Sequence, residues 1–173
     1  MERTDAAPVR TAVLDAGPLI HLDELGCLSL LSGFQELLVP VAVWIEVERH
    51  RPTALSAGQI PLIKQQAPLP SSALFGLCEA FNLDLGEQEA LAVCPLRPGA
   101  ILFTDDAAVR LAAKTAGIRA YGTLGILVRA IRRGQLTSSE VVRLLEQIPS
   151  RTTLFIRKNL LLEIIEKVRK SVG

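Results

Sequence analysis

The chain alternates short, unbroken apolar runs with longer runs of helical periodicity. Thr11-Ala-Val-Leu-Asp15 precedes a helix with Pro18 near its first turn, Leu37-Leu-Val-Pro40 precedes a helix over Val41–Glu48, and Ala100-Ile-Leu-Phe-Thr104 precedes a helix over Ala107–Ala116. A strand that is apolar at successive positions has no face to give to water, so it belongs in a parallel sheet covered by helices on both sides. Repeated strand-then-helix units therefore predict an α/β fold with a central, mainly parallel sheet. Lesser elements fill the gaps. These are a short helix over Leu28–Phe34, a minor strand at Leu62-Ile63, a helix capped by Ser71 or Ser72 and running to Phe81, and a last short strand at Ile118–Tyr121. Asp84-Leu-Gly-Glu87 has capping-box spacing for a helix to Val93 or Cys94. Gly122 opens a helix through Ile131, Thr137 caps one to Ile148, and Lys158–Arg169 is apolar at helical spacing.

Acids stand where these strands end or these helices begin: Asp15, Glu46, the pair Glu87/Glu89 and the pair Asp105/Asp106. Carboxylates gathered at the carboxyl edge of a parallel sheet repel one another, and a divalent cation among them relieves that repulsion. Hard oxygen donors favour magnesium or manganese over zinc. Each position also has an ordinary structural role open to it. Asp15 and one of Asp105/Asp106 can cap helices, and Glu46 can be a plain exposed glutamate. Glu87 and Glu89 point about 200° apart around a helix, so they cannot face one ion in the same way. Capping-box spacing assigns the cap to Glu87, with an outer-shell or alternative ligand role left to it, and makes Glu89 the better inward ligand. Asp105 and Asp106 stay undecided between cap and ligand.

Composition narrows the remaining classes. With 173 residues the chain fits one domain. The hydrophobic share of 49% includes no uncharged apolar run approaching the ~18 residues of a membrane span. Met1–Arg10 holds Glu2 and Asp5 and no apolar signal region, so a cytoplasmic location is expected. Cys27, Cys78 and Cys94 have no paired spacing and read as buried thiols, and His21 and His50 are isolated, which leaves nucleophilic triads without material. A dinucleotide site is disfavoured because the first strand-helix turn lacks G-x-G-x-x-G. A phosphoacceptor domain needs a lysine after a late strand, where Ile118–Tyr121 offers only Arg119.

Charge is segregated along the chain. Residues 1–109 hold 6 Lys/Arg and 14 Asp/Glu, whereas residues 110–173 hold 13 and 4, within a net charge of +1. An acidic half beside a basic one suits a nuclease that holds phosphates near a cation, and it equally suits solvated helix faces. Arg110, Lys114, Arg129, Arg132 and Arg133 are the candidates for contacting a nucleic-acid backbone without reading sequence. Few aromatics, 4%, argue against a broad stacking platform.

The same residues make the chain resemble a PIN-domain protein. Asp15-Ala-Gly-Pro-Leu-Ile20, Val43-Trp-Ile-Glu-Val47, Gly86-Glu-Gln-Glu-Ala-Leu-Ala92 and Leu102-Phe-Thr-Asp-Asp106 look like that family's four successive acidic motifs. Gly122-Thr-Leu-Gly-Ile-Leu127 adds likeness to a bacterial and archaeal branch related to VapC-type toxins. Two positions depart from the pattern: a glutamate stands where the third acid is usually aspartate, and Gly17 where a small hydroxyl or amide residue is common.

The resemblance implies a Rossmann-like PIN fold with extra C-terminal helices. Residues 1–10 would form an N-terminal extension, 11–135 the PIN-like domain, and 136–173 a helical extension packed on the same domain or on a dimer partner. It further implies a Mg²⁺- or Mn²⁺-dependent endoribonuclease leaving a 5′-phosphate and a 3′-hydroxyl. Asp15, Glu46, Glu89 and Asp105 would be the catalytic ligands and Asp106 the alternate one. RNA, a homodimer and a neighbouring antitoxin are the implied partners, with no membrane. The alternative is a catalytically weak PIN-like module that binds nucleic acid or protein.

Overall fold

β1 (Thr11–Leu14) is buried at every position and lies at the centre of a five-stranded sheet of order β3-β2-β1-β4-β5. These observations come from a computed structural model that describes residues 11–56 and 60–171; the expected N-terminal extension, residues 1–10, lies outside the described residues. β2 (Glu36–Pro40) and β3 (Leu62–Gln65) stand to one side of β1, and β4 (Ile101–Phe103) and β5 (Arg119–Tyr121) to the other. All pairings are parallel, with Val13 opposite both Leu38 and Leu102.

The side-chain period of two splits the central strands between two apolar layers. Ala12, Leu14, Leu37, Val39, Ile101 and Phe103 point to one face. There they meet α1 (Ala16–Glu24), α2 (Val41–His50), α7 (Thr123–Arg132), α8 (Ser138–Arg151) and α9 (Lys158–Lys170). Val13, Leu38 and Leu102 point the other way, onto α4 (Ser72–Ala80), α5 (Leu85–Val93) and α6 (Ala107–Thr115). The expected α/β architecture, parallel and covered on both faces, is the one found. α8 and α9 bury Val141, Leu145, Ile148, Leu161, Ile165 and Val168 in the same cluster as Ala12 and Leu14 of β1.

Local differences from the sequence reading have physical causes. The short helix after Cys27 is a 3₁₀ helix, Leu28–Gly33, which buries Leu28, Leu30 and Leu31. A single helical turn, α3 (Thr53–Ser56), follows Pro52, too short to show periodicity in sequence. α8 runs past Pro149 to Arg151, because a proline in the last turn removes only one backbone bond. No described helix is long and apolar enough to cross a membrane.

Candidate functional site

Chain order reverses at β1: the path goes β1-β2-β3 outward on one side and returns to β4-β5 on the other. Open α/β sheets place their sites in the crevice at the carboxyl end of such a switch point. Asp15 and Thr104 stand there, each one residue past its strand. The Asp15 N–H donates to Phe103 O at 2.9 Å, and the Thr104 N–H to Tyr121 O at 2.9 Å, so both backbones continue the ladder. Asp15 Oδ1 accepts the Ala16 N–H at 2.8 Å and Oδ2 accepts the Thr104 hydroxyl at 2.7 Å. Burial pushes the Asp15 carboxyl up to about 6; the Thr104 and Ala16 hydrogen bonds oppose the rise, and the charges of Glu46 and Asp84 add to it.

Glu46 projects from α2 and has no hydrogen-bond partner among the described residues. Its carboxyl is raised by partial burial and by the charge of Asp84, with His50 opposing. Asp84 and Glu87 form the capping box expected of their spacing: Asp84 Oδ1 accepts the Glu87 N–H at 2.9 Å and Glu87 Oε2 the Asp84 N–H at 2.8 Å. Glu87 is nonetheless pushed up to about 7, first by burial and then, against its backbone bond, by the charges of Asp84, Asp106 and Asp15. Gly86 lets the start of α5 approach α2, since a Cβ there would stand 3.4 Å from Val43 and 3.6 Å from Glu46 Oε2.

Glu89 turns to a different task. Its Oε2 accepts the Ala42 N–H at 2.8 Å, at the first turn of α2. Both members of the pair thus cap, Glu87 its own helix and Glu89 its neighbour.

The two aspartates after β4 also divide. Asp106 is the N-cap of α6, its Oδ1 accepting the Ala108 and Val109 N–H groups at 2.7 and 3.0 Å. Asp105 Oδ1 accepts the Thr123 N–H at 2.7 Å, and its Oδ2 accepts the Thr123 hydroxyl at 2.6 Å and lies 2.7 Å from His21 Nδ1. Burial works to raise the Asp105 carboxyl, but the His21 and Thr123 hydrogen bonds prevail and hold it below its ordinary value. An ionised Asp105 only accepts, so His21 Nδ1 carries the hydrogen of their bond. Gly122 is required beside it, because a Cβ would stand 2.6 Å from Asp105 Oδ1. Gly17 packs on the same pair, its Cβ position 3.4 Å from Asp105 Oδ2 and 3.5 Å from His21 Cε1.

The basic candidates are scattered. Arg110 Nη1 donates to Thr104 O at 3.2 Å, which puts a guanidinium at the rim of the acidic site. Lys114 is exposed on the next turn of α6, and Arg132 and Arg133 are exposed at the end of α7. Arg129 instead lies over the Phe34 ring, 4.3 Å from its centroid, and partial burial and its arginine neighbours lower its pKa.

Burial and neighbouring charge therefore raise Asp15, Glu46 and Glu87, with Asp84 and Asp106 among the charges that act on them, whereas Asp105 and Glu89 accept hydrogen bonds that tie one element to another. Among the described residues no three His, Cys, Asp or Glu side chains converge closely enough to hold an ion as they stand. The donors are all hard oxygens, and their mutual repulsion is of the kind a divalent cation reverses. Sequence reasoning did not single out Thr104, His21, Thr123 or Asp84 as partners in the site. For Thr104 the available signal was a hydroxyl at the end of the clearest strand; for His21 there was none.

A search of curated proteins returned no match. A family model described as a PIN domain matches residues 11–170, which spans β1 through α9 and every acid discussed above. The chain belongs to the PIN-domain family, whose members are generally nucleases.

Proposed function

We propose that the protein is a Mg²⁺- or Mn²⁺-dependent endoribonuclease whose cation is held by Asp15, Glu46, Glu87 and Asp106. The observation that carries this reading is Asp15, a buried carboxylate pushed up to about 6 at the switch point of the sheet, with further acids facing it. When bound, the cation would supply an activated water and stabilise charge on the scissile phosphate. The remaining work falls to the chain. Thr104 fixes the rotamer of Asp15, and the His21–Asp105–Thr123 bonds fix the turn that carries Asp106. Glu89 pins α5 to α2 and so holds Glu46 and Glu87 on neighbouring walls of the site. Arg110, at the rim, and the exposed Lys114 beyond it would take backbone phosphates.

In this reading the protein acts on RNA in the cytoplasm, as the toxin of a toxin–antitoxin pair and as a homodimer. The support for a protein partner is apolar surface beside the acids. Ile45 is 47% and Leu85 64% exposed in a groove shared with Glu46 and Asp84.

The second reading is a catalytically weak module that binds nucleic acid or protein. It is favoured by the backbone N–H groups already held by Asp84, Glu87 and Asp106. One experiment decides between the two: cleavage of mixed-sequence single-stranded RNA with Mg²⁺, Mn²⁺ or EDTA, beside Asp15→Asn, with metal binding followed by calorimetry. Metal-dependent cutting lost in the variant supports the nuclease. A folded protein that neither cuts nor binds metal supports the weak module.

A further inference from the structure

Asp105, the neighbour of Asp106, lines a cavity of about 540 Å³ together with Arg110 and Gly122. The strap of residues 152–157 between α8 and α9 lines it too, with Phe155 and Arg157, as does Leu160 on the first turn of α9. Phe155 is 87% exposed, more than any other aromatic among the described residues. Its exposure is built in. Leu154 and Ile156, the residues on either side, pack against the main apolar cluster, and in an extended strap this turns the residue between them outward. The strap is also tethered: the Thr153 N–H and hydroxyl donate to Glu24 Oε2 at 2.8 and 3.3 Å, and the Leu154 N–H donates to Thr152 Oγ1 at 3.2 Å. Arg110 and Arg157 form no ion pair among the described residues.

An apolar ring held in water, in a cavity that Asp105 lines together with two guanidinium groups free of ion pairs among the described residues, fits a strand that is anionic along its backbone and aromatic along its bases. We propose that Phe155 is a stacking platform for one unpaired base of a single-stranded RNA, with Arg110 and Arg157 taking the phosphates on either side. The proposal rests on the nuclease reading and adds to it the residues that position the strand: a ring face is available only to a base free of its own stack. Stacking is tolerant of base identity, so the platform positions the strand without imposing a sequence. A docked protein fits the cavity less well, because it would have to bring acids to Arg110 and Arg157 within reach of the site's own carboxylates.

The test is fluorescence anisotropy with the full chain in EDTA, so that binding is read without cleavage, using labelled mixed-sequence single-stranded RNA, the same strand with one abasic nucleotide, and its duplex. Phe155→Ala weakens single-strand binding by about 5- to 150-fold, the range of one stacked base, and leaves duplex binding unchanged. Phe155→Tyr restores it and Phe155→Leu does not. The abasic strand binds the wild type more weakly than the intact one but binds Phe155→Ala no differently. Arg157→Gln lowers the slope of log affinity against log salt by about 0.7, the value for one phosphate on a single strand. Wild-type affinity in Phe155→Ala, or full rescue by leucine, overturns the stacking platform while leaving the nuclease reading intact. Unchanged RNA binding with lost self-association in sedimentation also overturns it, and assigns the strap to a second copy. If the wild type neither binds nor cuts RNA, both readings fall together. Phe155 is too exposed for its loss to unfold the protein, and a thermal melt of each variant confirms that.

Discussion

Glu89 on α5 accepts the N–H of Ala42 on α2 at 2.8 Å, so a carboxylate from one helix caps the start of another. Pro40 is the N-cap of α2 and supplies no side-chain acceptor, which leaves that end dependent on its neighbour. Glu89→Ala is expected to lower stability by about 1–2 kcal/mol, the range for a lost cap, and Glu89→Gln by less because an acceptor remains. Urea titration measures both, and calorimetry on the same variants should find metal binding retained. Lost metal binding in Glu89→Gln at unchanged stability would transfer Glu89 to the cation.

Asp15 sets a pH dependence of definite sign. Its folded value of about 6 lies above the ordinary value of 3.8, so the folded state holds the proton more tightly between those values. Stability in EDTA is therefore greatest below about pH 4 as far as this group is concerned, and it falls as pH rises toward about 6, by roughly 2–3 kcal/mol in all. Asp15→Asn, which keeps acceptor and shape, removes that penalty and should raise the neutral-pH melting midpoint in EDTA while abolishing cleavage. Added Mg²⁺ should stabilise the wild type at pH 7.5 and leave the variant unmoved. A wild type that gains stability from pH 5 to 7.5 in EDTA would contradict the buried-carboxylate argument.

Gly122 has no room for a side chain. A Cβ 2.6 Å from Asp105 Oδ1 must displace the carboxylate from Thr123 and His21. Gly122→Ala is expected to destabilise by about 1–3 kcal/mol, the cost of leaving buried partners unsatisfied, and to reduce cleavage at least tenfold because the turn bearing Asp106 moves with it. Thr123→Ser, which keeps both donors to Asp105, should behave as the wild type in both assays.

The three thiols are chemically quiet. Burial pushes Cys27 and Cys94 up to about 12 and raises Cys78, and all three are buried and free. Alkylation at pH 8 should be negligible in the folded protein and complete in denaturant, because the thiolate is the reactive form. Rapid labelling of a native cysteine would show that the α/β core opens.

What sequence made legible is what depends on neighbours in the chain. Apolar strands, the acid after β1 and the Asp84–Glu87 capping box all follow from residues within a few positions of one another, and each stands where expected. Contacts across the chain followed other rules. His21 meets Asp105 across 84 positions and Glu89 meets Ala42 across 47, and no periodicity encodes either. The same limit governs Asp105/Asp106: that Asp106 caps α6 while Asp105 takes the hydrogen bonds of Thr123 and His21 depends on residues 18 and 84 positions from Asp105. Arg129 counts as one basic residue among many by composition, yet Phe34 lies beneath it and draws it down toward the 3₁₀ segment.

The adjacency of β1 and β4 also sets the order in which the acidic crevice can assemble. Asp15, Glu46 and Glu87 are all translated before β4 exists, but the Thr104 hydroxyl that orients Asp15, and Asp106, come after it. A nascent chain still lacking residues 101–123 has most of its acids and no crevice in which to gather them. If the protein cuts RNA, the ribosome that makes it is shielded by strand order: the cutting edge closes only after most of the message has been read.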